Sequence, residues 1–159
     1  ILTGTILALA RALGETAPLI LVGAFFGNFF VQPNQDVVDT LQGKGPFTVF
    51  APTNDAFAKL PAGTVDTLLK PENKGQLTQV LTYHVVPGRL TAKDLKAAVE
   101  KGGGKAMYKT VEGEELTFEA KDGAIWVWDA KGDSAKITIM NVMQSNGVIH
   151  VIDTVLLPS

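Results

Sequence analysis

The stretch SNGVIHVIDTVLLP, Ser145 to Pro158, decides the fold. From Val148 to Leu157 it is almost continuously apolar, the pattern of a central strand covered on both faces, and the Asn146-Gly147 pair just before it supplies a tight turn. A second run, FTVFA from Phe47 to Ala51, is short enough for a buried strand and is ended by Pro52 and Thr53. The two runs are predicted to be interior strands of one sheet.

Between them the signals alternate. Thr53 or Asn54 is placed to cap a helical turn reaching Leu60, and Thr64 to cap Val65 to Leu69. Pro71 suits a first helical turn and opens a helix with Leu77, Val80 and Leu81 on one side. Thr91 and Asp94 read as a capping box ahead of Leu95 and Val99, and Gly102 to Gly104 stop that helix. The last third turns to strand periodicity: Leu116 and Phe118 share a face, Asp122-Gly123 makes a hairpin, and Ile125 and Val127 follow with Trp126 and Trp128 opposite. Ile137 and Ile139 alternate next. Helices early and strands late give an α+β fold, a sheet wedge or sandwich flanked by short helices.

Composition narrows the function. A chain of 159 residues holds one domain plus an appendage. Its net charge of −2 comes from 14 basic and 16 acidic residues that are interspersed, which argues against nucleic acid as a partner. The absence of cysteine removes disulfides, thiolate metal sites and cysteine nucleophiles together. No Asn-x-Ser/Thr acceptor occurs, which favours a prokaryotic source.

The appendage is N-terminal. From Ile1 to Val31 the only ionisable side chains are Arg11 and Glu15, which at i, i+4 could pair on a helix. The uninterrupted apolar run Leu19 to Val31 is shorter than the roughly 20 residues a span needs, yet leaves membrane contact through residues 1–31 open. The polar stretch Gln32 to Asp36 marks the boundary, dividing the chain into residues 1–34 and 35–159, with a short helix expected from Asp36 to Leu41.

Three segments carry a family resemblance. GPFTVFAPTNDAFAKLP, Gly45 to Pro61, resembles the first box of fasciclin domains; TYHVVPG, Thr82 to Gly88, their Tyr-His motif; and SNGVIHVIDTVLLP their second box, all in the family's order over Asp36 to Pro158. The resemblance implies a compact sheet wedge with packed helices, in an exported or surface-attached protein that mediates adhesion without a cofactor or a reaction. It makes Tyr83 and His84 binding candidates by position, and Thr53, Asp55, Asn146, Gly147, His150 and Asp153 the structural residues of the motifs. Where some animal members have an integrin-linked Asp-Ile pair, this chain has Asn141 and Val142, so the carboxylate is missing.

Leu2 to Ala24, LTGTILALARALGETAPLILVGA, is similar to a membrane helix of phosphate ABC importer permeases. That likeness implies an anchor, or an accessory role beside an importer. Fasciclin domains begin with a helix or two that this segment displaces, and Thr5 to Leu13 is expected to substitute for them.

Sharper chemistry finds little support. His84 and His150, the two histidines, sit beside apolar runs where a ring nitrogen bonds a backbone carbonyl; a shared metal site with Asp55 or Asp153 is the alternative weighed, and no metal is expected. Tyr83 is expected to be buried with its hydroxyl partnered. Ser134, Ser145 and Ser159 sit in no nucleophile elbow, and Lys101 to Lys105 lacks the spacing of a phosphate loop. Trp126 and Trp128 read equally as a sugar-stacking or protein-contact platform and as packing beneath a helix. The resulting expectation is a non-enzymatic adhesion module binding protein or polysaccharide, exported to the periplasm, the cell exterior or a membrane anchor, with transporter accessory as the second reading.

Overall fold

The computed structural model describes residues 45–68, 70–144 and 147–159. The membrane-like segment, its boundary at residue 34, the helix expected at Asp36 to Leu41, and Ser145 and Asn146 of the turn lie outside them.

Seven strands form one sheet: β1 (Phe47–Pro52), β2 (Val85–Pro87), β3 (Lys105–Lys109), β4 (Glu115–Lys121), β5 (Ala124–Trp128), β6 (Ser134–Gln144) and β7 (Gly147–Ile152). Their order is β2-β1-β7-β6-β5-β4-β3. Every neighbouring pair is antiparallel except β1 and β7, which run parallel with Phe47 opposite Gly147 and Pro52 opposite Ile152. The two apolar runs that decide the fold are thus adjacent central strands. All six residues of β7 are buried, as its unbroken apolar pattern requires.

The helices are α1 (Asn54–Ala58), α2 (Thr64–Leu68), α3 (Lys74–Tyr83) and α4 (Ala92–Lys101), with a 3₁₀ turn at Pro71–Asn73 leading into α3. Thr53 caps α1 by accepting from the Ala56 N–H at 3.1 Å. Thr64 turns out to be the first helical residue of α2, and it is the Gly63 carbonyl that accepts from the Thr67 N–H. The box at α4 is complete: the Thr91 hydroxyl accepts from the Asp94 N–H while the Asp94 carboxylate accepts from the Thr91 N–H.

Two apolar clusters lie on opposite faces of β1 and β7. One joins Val49, Ala51 and Ile149 to Ala56 of α1 and Leu77, Val80 and Leu81 of α3. The other joins Phe50 and Ile152 to Leu116, Phe118, Ile125 and Val127 of the hairpin strands and to Leu95 and Val99 of α4. Enclosing the second cluster makes the sheet curl. Register shifts in β6 between Ile137 and Ile139 and again before Val142 bend that strand, and beyond the opposite edge the Val111 N–H donates to the Val85 carbonyl of β2 at 2.8 Å. The result is a single sheet close to a barrel, where two stacked sheets were the other expectation.

The strand predicted as Val148 to Leu157 ends earlier, at Ile152. Asp153 breaks it: its Oδ1 accepts from the Lys136 N–H at 2.8 Å, and the chain leaves the sheet as a tail that buries Val155 and Leu156.

Candidate functional site

Tyr83 and His84 end α3, and both are fully buried. The Leu156 N–H donates to His84 Nε2 at 3.0 Å, which places the ring proton on Nδ1, from which it is donated to the Val80 carbonyl at 2.6 Å. The His84 carbonyl accepts from the Phe50 N–H at 2.9 Å. One residue therefore ties α3, β1 and the C-terminal tail together. Desolvation lowers its pKa to about 4 and leaves the imidazole neutral near neutral pH. The Tyr83 hydroxyl accepts from the Ala130 N–H at 2.9 Å, and burial pushes its pKa up to about 12.

His150, on β7, does the same. The Asn141 N–H donates to its Nδ1 at 3.2 Å, so Nε2 carries the proton and donates to the Leu90 carbonyl at 2.7 Å, while the ring stacks on Phe50. Burial lowers its pKa as well. Asn141 is a second link: it holds a left-handed backbone, φ 59, and its Oδ1 accepts from the Ala92 N–H at 2.8 Å, joining the bent strand to the start of α4. Asparagine at this position, where the resemblance led one to look for Asp, has a structural task.

With both ring nitrogens of each histidine engaged by backbone groups, neither presents a lone pair outward. Among the described residues no cluster of three or more His, Asp or Glu is arranged to hold a metal. Asp55 is exposed in the first turn of α1. Asp153 is tied to β6 and to Lys59, whose Nζ donates to its carbonyl at 2.6 Å. Gly147 is required by contact: a Cβ there would collide with the Phe47 carbonyl oxygen across the β1–β7 pair. Of the sequence-selected residues, Thr53, Tyr83, His84, Gly147, His150 and Asp153 therefore fasten the fold, whereas Asp55 is exposed and Asn146 lies outside the described residues. Three others belong with them and carried little signal: Thr48, which donates to the Gly88 carbonyl and accepts from the Leu90 N–H; Asp129, whose carboxylate accepts from the Lys131, Asp133 and Leu157 N–H groups; and Glu114, which holds Ser159. In hindsight the Asp-Ala-Lys-Gly-Asp run at 129–133 marks Asp129 as a turn carboxylate.

The outward face of β3 to β6 is built differently. Its inner side faces α4, and the register fixes what points out: Lys105, Glu119, Trp126 and Lys136 form one cross-strand row, and Met107, Thr117, Trp128 and Ser134 the next. Lys109 and Glu115 flank one end, and Lys121 the other. Met107 is 61% exposed, and both tryptophans are half-buried. The Lys105 ammonium lies 2.7 Å from the Glu119 carboxylate and, with a smaller contribution from the nearby Trp128 indole, holds it below the usual carboxylate range. Yet neither indole N–H is in hydrogen-bonding geometry with an acceptor among the described residues, although both nitrogens are buried. That is unusual enough for buried donors to need a reason. No described helix packs on this side, so packing beneath a described helix does not account for the pair.

Residues 29–158 match the Fasciclin domain family. Protein sll1483 of Synechocystis is 54% identical over 123 residues, covering 77% of this chain and 61% of that protein, and Synechocystis protein sll1735 is 43% identical over 122 residues, covering 77% and 80%. Cell surface glycolipoprotein MPB83 of Mycobacterium bovis is 37% identical over 129 residues, covering 80% of this chain and half, 50%, of its own. In structure, the FAS1 domain pair of the insect cell adhesion molecule fasciclin I superposes with a TM-score of 0.66 at 24% identity, over 90% of this chain and 46% of that one, a likeness of fold. The permease likeness of Leu2 to Ala24 finds no support in these matches.

Proposed function

The chain belongs to the fasciclin domain family, and from that premise we propose that it is the interaction module of an exported, surface-exposed protein, binding a protein or polysaccharide partner through the outward face of β3 to β6. The observation that carries this reading is the division of labour between the two sides of the sheet. Inside, the titratable and hydroxyl groups that could do chemistry are committed to backbone partners: His84 to Leu156 and Val80, His150 to Asn141 and Leu90, Tyr83 to Ala130. Outside, half-exposed aromatic area lies among charged side chains, with the Trp126 indole N–H lacking an acceptor among the described residues. A surface of that composition, half-exposed tryptophans and an exposed methionine with charged residues among and around them, is what contact sites use.

Tyr83 and His84 take part in binding through the core that they fasten, since neither side chain reaches the surface. One relative points to the same setting, being a cell surface glycolipoprotein. The residues before 35 serve as an anchor or as a cover for the domain, and the domain works without catalysis.

The test is retention on cells. Beads coated with the chain through a C-terminal tag are expected to bind intact cells of the source organism, and beads carrying the Trp126→Ala/Trp128→Ala variant to bind them several-fold less. Equal retention of both would reject the face, and no retention of either the adhesive role.

A further inference from the structure

The tryptophan face is not only apolar. Four lysines, Lys105, Lys109, Lys121 and Lys136, stand on it against two glutamates, Glu115 and Glu119, an excess of two positive charges on a chain whose net charge is −2. Lys105 neutralises Glu119 directly, and the exposed Lys136 lies across the strand pair from Trp126. The local sign thus opposes that of the chain, which favours an anionic partner.

The shape narrows the partner further. The two indoles stand at i and i+2 on one strand, about 6.5 Å apart along it, on the outward face of the sheet. The depression lined by Ala62, Gly63, Thr67 and Gln76 lies elsewhere, beside α2 and α3. A protein hot spot seeks a pocket to fill. An extended chain of rings bearing apolar C–H faces, hydroxyl groups and carboxylates needs only half-exposed aromatic rings, side-chain hydroxyls and lysines. Thr117 and Ser134 flank Trp128 in its row. We propose that the outward face of β3 to β6 binds an acidic polysaccharide, with Trp126 and Trp128 stacking on sugar rings and Lys105 and Lys136 pairing with their anionic groups. This deepens the contact-surface reading and rests on it.

The chain carries its own reporter, because Trp126 and Trp128 are its two tryptophans. Titration of the full chain with alginate, a polyuronate, is expected to shift and quench tryptophan emission, to weaken as salt rises, and to leave dextran, its neutral counterpart, without effect. In affinity electrophoresis through alginate gels, Trp126→Ala/Trp128→Ala should bind roughly tenfold more weakly and Lys105→Gln/Lys136→Gln several-fold more weakly, the second pair guarding against a folding defect in the first. Silence with alginate, or retardation unchanged in both variants, overturns the proposal. So does an equal response to poly-glutamate, which makes the partner an acidic protein, or to anionic phosphatidylglycerol vesicles, which makes it a lipid surface. If coated beads still bind cells while alginate is silent, the contact face stands and the glycan falls; if the beads fail too, the contact face itself is wrong.

Discussion

The two sides of the β3–β6 half of the sheet use polar atoms in opposite ways. On the inner side and around β1 and β7, buried polar groups are spent on fixing the backbone: His84, His150, Thr48 and Asp129 each bind groups far away in sequence. On the outer side, Trp126 and Trp128 keep their N–H groups without acceptors and their rings half in solvent. Leaving a buried donor unmade costs about 1–3 kcal/mol, so a fold that satisfies its core so fully treats the polar atoms of this face differently, and under the proposed function stability and recognition rest on separate residues.

The comparison breaks or sharpens on four measurements of unfolding free energy. The largest effect is expected of Gly147→Ala, whose new methyl meets the Phe47 carbonyl: about 3–5 kcal/mol, read by urea denaturation, with a loss below ~1 kcal/mol showing that β1 and β7 can part. Next is acid. The His84 pKa is about 4 when folded and 6.5 otherwise, so between those values the unfolded chain binds the extra proton. Stability is then full above about pH 6.5 and falls as pH drops toward 4, by about 3 kcal/mol in all for this group. His150 adds to the same slope, its pKa being lowered too. A stability flat from pH 7 to 4 would show the imidazoles to be less enclosed than their geometry states.

Asn141→Ala comes third, removing an acceptor for the Ala92 N–H at the start of α4 and placing alanine at φ 59; about 1–2 kcal/mol is expected, with His150 still buttoned through its backbone contacts. The smallest effect belongs to Trp126→Ala/Trp128→Ala, expected to lower stability by under ~1.5 kcal/mol while abolishing most binding. A loss as large as that of Gly147→Ala would make the tryptophans part of the core and erase the distinction.

Much of the inner side could be read from residues in order. Unbroken apolar runs at Phe47 to Ala51 and Val148 onward gave the paired central strands, and the Thr91–Asp94 box and Asp122-Gly123 gave a helix start and a hairpin, because each rests on local geometry. Asp122 and Gly123 do adopt positive φ, 53 and 74. Strands β2 and β3 escaped notice. Val85–Pro87 is three residues long, and Lys105–Lys109 sits on the sheet edge with lysines at both ends, so neither has an apolar pattern of its own. The end of β7 at Ile152 was hidden for a related reason: Val155 and Leu156 are as buried as the strand before them, but by the tail's packing against His84, a contact 72 residues apart in sequence. The candidate site followed the same rule. The alternation at Ile125 to Trp128 showed which way the indoles point, whereas the lysine excess around them exists only once four strands are in register.

The strand order carries one more consequence. β7 is made after every other strand yet lies between β1 and β6, so the hydrogen-bonded ladder from β1 and β2 to the β3–β6 meander is incomplete until it arrives. A polypeptide emerging from a ribosome would therefore lack its central strand until the residues of β7 had emerged. Pairing between strands so distant in sequence makes the closing of the sheet a late and slow step.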